Sequence, residues 1–427
     1  MNILQQTEDR VDTYLRPRMK RLMKGLRETV VDPRQAQGRR HDVHAMLLGL
    51  IAGAVAGCTS MRAVEELSAL LGLGRKQAGF SDTALTNLLA KLSETTGLAA
   101  LVGQVKDMYR RGQLDPVGFL MNWAAIDGKY ATLDHNADGL GSKRERDGKV
   151  WWQVGVLRAV LITAIGRPAL GQVPLADKEG EITALPDFIA WLTAQYGQLV
   201  RNFTLDAGLW SKALFETMSA AGYGLLCGLK ENKPELHAET ERVFRILRAH
   251  KRAALAAETG WQACPTGKIR RQLWRVDNLR GWNGWDDLQQ VIMTEQTTVP
   301  CDGSGTTVEV RYFVTNMVKD AMSVKQLLNL VRLHWAIEND CNWTFDVVLG
   351  EDSGRWCTQN KSFHVLGIIR MIAYNLLQWL RKKHVVVQHK YNADTPRPWR
   401  NLFALISRVL CAQGTDFGSN ICSLKPT

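Results

Sequence analysis

Three acidic residues, Asp127, Asp206 and Glu338, sit where their pattern could do chemistry. Asp127 follows the short apolar run Phe119–Ile126, and Asp206 follows Asn202–Leu205; both runs read as strands. Carboxylates at the ends of neighbouring strands converge on one sheet edge, where hard oxygen donors can share divalent cations. A third carboxylate comes from the helical run Val324–Leu349. Its apolar stripe is Val324, Leu327, Leu328, Val331 and Trp335, and the next position on that face is Glu338. A carboxylate on an inward stripe is costly unless it is paired or ligated. Two readings therefore stand: a metal ligand, or a buried ion pair with Arg332. Asp340 and Asp346 fall off the stripe and are expected to face solvent. Asp177, Glu179, Glu181, Glu351 and Asp352 are rival acids in loops or at helix starts, where acids merely favour the helix dipole.

Two aspartates and a glutamate in this arrangement would hold two Mg²⁺ ions, with Mn²⁺ as a substitute. One ion would activate water or a 3′-hydroxyl, and the other would stabilise the leaving oxygen of a phosphodiester. Other hydrolytic and nucleotide chemistries lack their signatures: there is no Gly-x-Ser-x-Gly elbow and no Gly-x-x-x-x-Gly-Lys loop. Lys129, Lys230 and Lys233 follow strands on the same edge and read either as phosphate contacts or as solvated loop lysines. The charged segment 134–149, with Lys143, Arg144 and Arg146, reads as a backbone clamp or a plain surface loop. Trp335, one turn before Glu338, could stack on an unpaired base or pack in the core.

The elements that must position these groups change character along the chain. Residues 1–118 read as a helical region expected to bind DNA: a basic amphipathic helix at Ile3–Leu26, an apolar one at Ala45–Ala56, another at Met61–Leu71, and one started by Ser81-Asp82-Thr83. The turn at Gly72–Phe80, with Arg75 and Lys76, fits a helix-turn-helix or a plain packing module. From Phe119 the order reads strand, strand (Trp151–Thr163), strand (Ala169–Leu175), helix (Glu181–Tyr196), strand (Asn202–Leu205), helix (Leu209–Ala221), strand (Tyr223–Leu229). That is the order of a ribonuclease-H-like α/β core, a mixed sheet flanked by helices. Residues 235–322 interrupt it with a helix and three alternating runs, a β-rich insertion. The core, begun over 119–234, is then completed over 323–390 by the glutamate helix, and 391–427 read as a basic tail.

Charge and composition bound the class. The chain has 427 residues, 45% hydrophobic and 22% charged, which excludes wholesale disorder. Its 54 Lys and Arg against 42 Asp and Glu give +12. The excess lies in residues 1–40 and 381–427, so two basic ends flank a near-neutral body, as a polyanionic partner would favour. Eight cysteines without CxxC spacing and no secretory opening fit a reducing cytoplasm, with nucleoid association through DNA. The apolar stretch 45–61 is shorter than a membrane span and interrupted by Cys58, Thr59 and Ser60, so it reads as a buried helix and no membrane partner is expected.

Five segments together resemble the DDE transposases of bacterial insertion sequences. Ala125-Ile126-Asp127-Gly128-Lys129 resembles their first aspartate motif, and Thr204-Leu205-Asp206-Ala207-Gly208-Leu209-Trp210-Ser211 their second. Asp177-Lys178-Glu179-Gly180-Glu181-Ile182 is close to a further block, and Gly228-Leu229-Lys230-Glu231-Asn232-Lys233 is similar to the segment after the second aspartate. His334-Trp335-Ala336-Ile337-Glu338-Asn339 resembles the glutamate motif. The resemblance covers roughly residues 35–380 in the family's order. It implies a ribonuclease-H-like fold, cleavage at element ends and transfer of 3′ ends to target DNA. It also implies Mg²⁺ ligands at Asp127, Asp206 and Glu338, and a homodimer on double-stranded DNA. Some relatives carry Tyr, Arg and Lys where this chain has Val331, His334 and Phe345. His334 could still meet a phosphate, and Arg332 and Arg355 are stand-ins for the missing cations. The alternatives are a ribonuclease-H-like nuclease without strand transfer and a catalytically idle DNA-binding protein derived from a transposase.

Overall fold

The computed structural model describes residues 3–133, 142–175, 180–249, 256–352, 356, 360–386 and 396–422. Asp177, Glu179 and Arg355 lie outside the described residues, as does 134–141 of the charged segment. In chain order the helices α1 (Ile3–Thr29), α2 (Val43–Ala56), α3 (Met61–Leu70), α4 (Asp82–Leu89) and α5 (Glu94–Arg110) come first. They are followed by β1 (Ala124–Leu133), β2 (Ser142–Arg146), β3 (Lys149–Leu161), β4 (Ala169–Leu175), α6 (Glu181–Tyr196) and β5 (Asn202–Leu205). Then come α7 (Lys212–Ala220), β6 (Gly224–Leu229), α8 (Pro234–Ala249), β7 (Ala257–Cys264), β8 (Gly267–Val276), β9 (Gln290–Pro300) and β10 (Thr307–Thr315). The last are α9 (Val324–His334), α10 (Asn360–Trp379), α11 (Trp399–Gln413) and α12 (Thr415–Cys422). The mixed α/β architecture, with a helical N-terminal region, agrees with the ribonuclease-H-like expectation.

The chain divides into two compact units: residues 118–127 with 180–337, and residues 1–117 with 128–179 and 338–427. The first holds the start of β1, and its strands run β1-β5-β6-β10-β9-β8-β7. β5 lies parallel to both β1 and β6, while β10 lies antiparallel to β6 and opens an antiparallel meander. The β-rich insertion thus continues the sheet that carries the second aspartate. All six residues of β6 are buried, the continuous apolar run typical of a strand covered on both faces. α9 opens with a capping box: Ser323 accepts from Gln326 N–H and the Gln326 side chain reaches back. It buries Leu327, Leu328, Leu330, Val331 and His334.

In the other unit β3 pairs with β1, β2 and β4. Ala131, Val154, Val156 and Phe363 form a small core beside it. α10 is buried along nearly its whole length and packs on α2, α5 and β4. α2 is apolar all round and is buried, as its sequence predicts. Ser362–His384 is long and apolar enough to cross a membrane, but its apolar window is entirely covered by protein. α11 packs against α1 and α2, burying Leu402, Leu405, Ile406, Val409 and Leu410. Residues 396–422 therefore hold two helices, α11 and α12, within the stretch that reads as a basic tail.

Candidate active site

Asp127 and Asp206 are brought together by strand register. Ala124, Ala125 and Ile126 of β1 face Phe203, Thr204 and Leu205 of β5 in parallel, and one step further the two aspartates lie side by side. Asp127 lies within β1, whose strand continues past it, whereas Asp206 directly follows β5. Both are half-buried. The next strand shapes the turn after Asp206. Gly228 lies against it: a Cβ there would meet Ala207 N at 3.0 Å and Asp206 Oδ1 at 3.5 Å. Trp210 Nε1 donates to Gly228 O at 2.7 Å, and Asn232 Nδ2 donates to Ala207 O at 2.5 Å.

The basic and aromatic candidates of this unit separate into distinct roles. Lys230 is exposed, with Nζ 3.7 Å from Asp206 Oδ1. Lys233 donates to Ala207 O at 3.0 Å and lies 4.5 Å from the Trp210 ring, and burial lowers its pKa. It braces the aspartate turn more than it offers a free cation. His334, read from the sequence as able to meet a phosphate, is buried. It is 5% exposed, its Nδ1 lies 3.0 Å from Thr204 Oγ1, and burial lowers its pKa to about 4 despite nearby Asp206. The buried imidazole ties α9 to β5. Trp335 is half-buried at the end of α9, with the Arg311 guanidinium 4.2 Å from its ring centre and Phe313 edge-on at 6.2 Å. Arg332 is exposed.

Glu338 belongs to the other unit, and its helix differs from expectation. α9 stops at His334, and the chain continues as wider π-helical turns over Ile337–Asn342 and Thr344–Val348. A π turn advances about five residues per hydrogen bond, so a stripe counted at 3.6 loses phase. Glu338 is exposed as a result, and Asp340 and Asp346, expected in solvent, turn inward. Asp340 pairs with Arg167 and with Lys382, whose Nζ is 3.0 Å away. Asp346 Oδ2 lies 2.7 Å from Lys129 Nζ, which also reaches Asp352 Oδ2 at 3.2 Å. Lys129 is thus held by two carboxylates; burial works against its charge, but Asp346 and Asp352 outweigh it and raise its pKa. Burial, with Asp352 and Glu351 near, lifts Asp346 to about 6 even against Lys129.

Sequence reasoning missed the group that organises these turns. Arg158, fully buried in β3, donates to Asn342 Oδ1, Gln172 Oε1 and Glu351 Oε1, each at 3.0 Å, and lies 4.2 Å from the Phe345 ring. Glu351, discounted as a loop acid, is also fully buried. The signal was present: an arginine inside the apolar run of β3 is as costly as an acid on a helix stripe. Asn232 was likewise not singled out.

As donors for a hard cation, the neighbouring carboxylates Asp127 and Asp206 fit in type and in exposure. Among the described residues no three His, Cys, Asp or Glu side chains are gathered in a group that could hold a metal ion.

The Transposase DDE domain family matches residues 123–376. In Escherichia coli O157:H7, "Putative transposase YncI" is 28% identical over 220 residues, 49% of this chain and 53% of that protein. The chain therefore spans about half the length of that relative. In E. coli K12, "H repeat-associated putative transposase YhhI" is 23% identical over 377 residues, 84% of this chain and 90% of its own length. "Putative protein YbfL" from K12 is 24% identical over the same shares.

Proposed function

The chain belongs to the DDE-domain transposases, and on that premise we propose that it cleaves DNA at the ends of an insertion sequence and joins the 3′ ends to target DNA. The observation that carries the reading is the pairing of Asp127 and Asp206 on adjacent parallel strands inside the matched domain. Asp127, Asp206 and Glu338 are the proposed catalytic and metal-binding carboxylates. Two Mg²⁺ ions, or Mn²⁺, would supply an activated water or 3′-hydroxyl and a stabilised leaving oxygen. Asp206 is fixed by the turn that Gly228, Asn232 and Lys233 brace. Lys230, exposed beside Asp206, is the proposed contact to a DNA phosphate, with Arg332 and Trp335 as further DNA contacts. Lys129 is proposed to set β1 against the Asp346 segment rather than to touch DNA. Work as a homodimer on two ends, in a bacterial cytoplasm, completes the proposal.

The experiment is strand transfer with pre-cleaved element ends, full-length protein and Mg²⁺. The proposal expects covalent joining of labelled 3′ ends to a target duplex. Hydrolysis of the same ends without any joined product would make the protein a nuclease and reject the transposition reading.

A further inference from the structure

A cavity of about 380 Å³ opens between α1, α5 and α10, wholly within one unit and built from none of the residues above. That volume falls at the small end of ligand pockets, roughly 300–1,000 Å³. Its floor is apolar, with Leu22, Met108 and Leu376 buried. Its lining carries Arg18, Arg21, Lys24 and Arg110 against Asp107 and Glu28. Asp107 there serves three arginines: Arg21 Nε and Arg111 Nε both lie 3.0 Å from Oδ2, and Arg110 reaches Oδ1 at 3.9 Å. A fourth, Arg18, stacks 3.7 Å from the centre of the Tyr14 ring, and one of its nitrogens donates to Tyr14 O at 2.9 Å. Among the described residues it shares Asp107 with the others and makes no salt bridge of its own.

Arg18, Arg21, Arg110 and Arg111 lie near enough to Asp107 to repel one another, while Glu28 in the lining is taken up by Lys24 at 3.7 Å. Burial destabilises the charge on Arg18, and Arg21 and Arg111 add like-charge repulsion. An anion at the mouth would relieve both, and guanidinium clusters match phosphate oxygens in geometry. The groove is also kept empty by sequence. Gly25 in α1 and Gly103 in α5 line it, and a Cβ on either would meet nothing within 4 Å. Glycine inside a helix costs about 1 kcal/mol relative to alanine, and here that cost leaves open space. The polar groups on the floor are already satisfied: Gln104 donates to Ile372 O, and Asn375 bonds Gln104 and Ala169. The floor therefore offers shape to a ligand and little hydrogen-bond discrimination.

We propose that this groove is a binding site for a phosphate ester of nucleotide size, its phosphate on Arg18, Arg21 and Arg110 and its flat body on the apolar floor. The ester comes either from a free nucleotide or from a DNA strand, and the satisfied floor makes the site indifferent to base identity.

The test uses full-length protein and two variants, Arg18→Gln and Gly103→Leu. The second fills the groove without changing charge. Adenosine monophosphate, thymidine monophosphate and a short duplex of arbitrary sequence are titrated calorimetrically. Similar saturable binding of both mononucleotides, weakened about tenfold or more by each variant, supports a nucleotide site. No mononucleotide binding, but duplex affinity reduced about tenfold by both variants, supports the DNA strand as the source. Ligand affinity unchanged by Gly103→Leu, or lost only with the Arg18 charge, overturns the proposal, as does the absence of any binding. Should Arg18→Gln fail to fold, Gly103→Leu decides alone, because its added side chain enters open space.

Discussion

His334 shows how a single side chain can be read only with its partners. Its imidazole is buried against Thr204 and is depressed to about 4, so it stays neutral in the folded protein well below the ordinary histidine range. The unfolded chain takes up a proton near pH 6.5 and the folded chain does not, so the unfolded state binds more protons in between. Stability contributed by this group is present above about pH 6.5 and is lost as pH falls toward about 4. His334→Gln should therefore flatten the acid limb: its melting temperature should fall less between pH 7 and pH 5 than the parent's does. An equal or steeper fall would show that His334 titrates normally. At this scale Asp206 was legible because a strand ended just before it. His334 was not, because burial and the Thr204 hydroxyl come from an element 130 residues away.

The element scale is governed by the buried pair Arg158–Glu351. Arg158 lies in β3, and its partners Asn342 and Glu351 flank the second π-helical turn, Thr344–Val348. Removing one member leaves a charge buried without its counterion, which typically costs about 3–5 kcal/mol. Glu351→Gln should lower the urea midpoint accordingly. Glu351 is held below the usual carboxylate range by Arg158 against the cost of burial, with Arg370 helping. Its contribution is thus present above the unfolded carboxylate pKa and lost as pH falls through the depressed folded value. A midpoint unchanged by the substitution would remove the pair from the account. The strands were legible here: Ala169–Leu175 and Asn202–Leu205 appear with the bounds their alternation and flanking turns predict. The glutamate helix was not, because π turns leave no mark on a 3.6-residue pattern, and Arg158, which bonds Asn342 and Glu351 beside them, lies far upstream.

At the scale of the molecule, the first helices are structural partners of the last. Tyr14 donates to Leu376 O at 3.0 Å, α2 and α5 pack on α10, and α1 packs on α11. A helix as apolar as α10 cannot stay exposed to water, so removing residues 1–117 should leave a chain that aggregates or binds apolar dyes. A truncated chain that unfolds cooperatively would show that the front helices are dispensable for folding. The sequence marks these helices by their caps and apolar faces but not by their mates, because pairings over three hundred residues leave no local pattern. DNA-binding tests consequently need the full chain.

In the proposed reaction Glu338 acts with Asp127 and Asp206 in cutting DNA. This is tested most directly on one labelled element-end fragment with Mg²⁺, measuring retention and nicking side by side. Glu338→Gln keeps size and hydrogen-bonding capacity but removes the ligand charge. Asp286→Asn, an exposed acid outside the motifs, makes the same change in net charge. Asp346 cannot serve as the control, since it is bound to Lys129. The account predicts normal retention with nicking reduced about a thousandfold or more for Glu338→Gln, at roughly 1.4 kcal/mol of transition-state stabilisation per decade, and near-parental nicking for Asp286→Asn. Near-normal nicking by Glu338→Gln would contradict it.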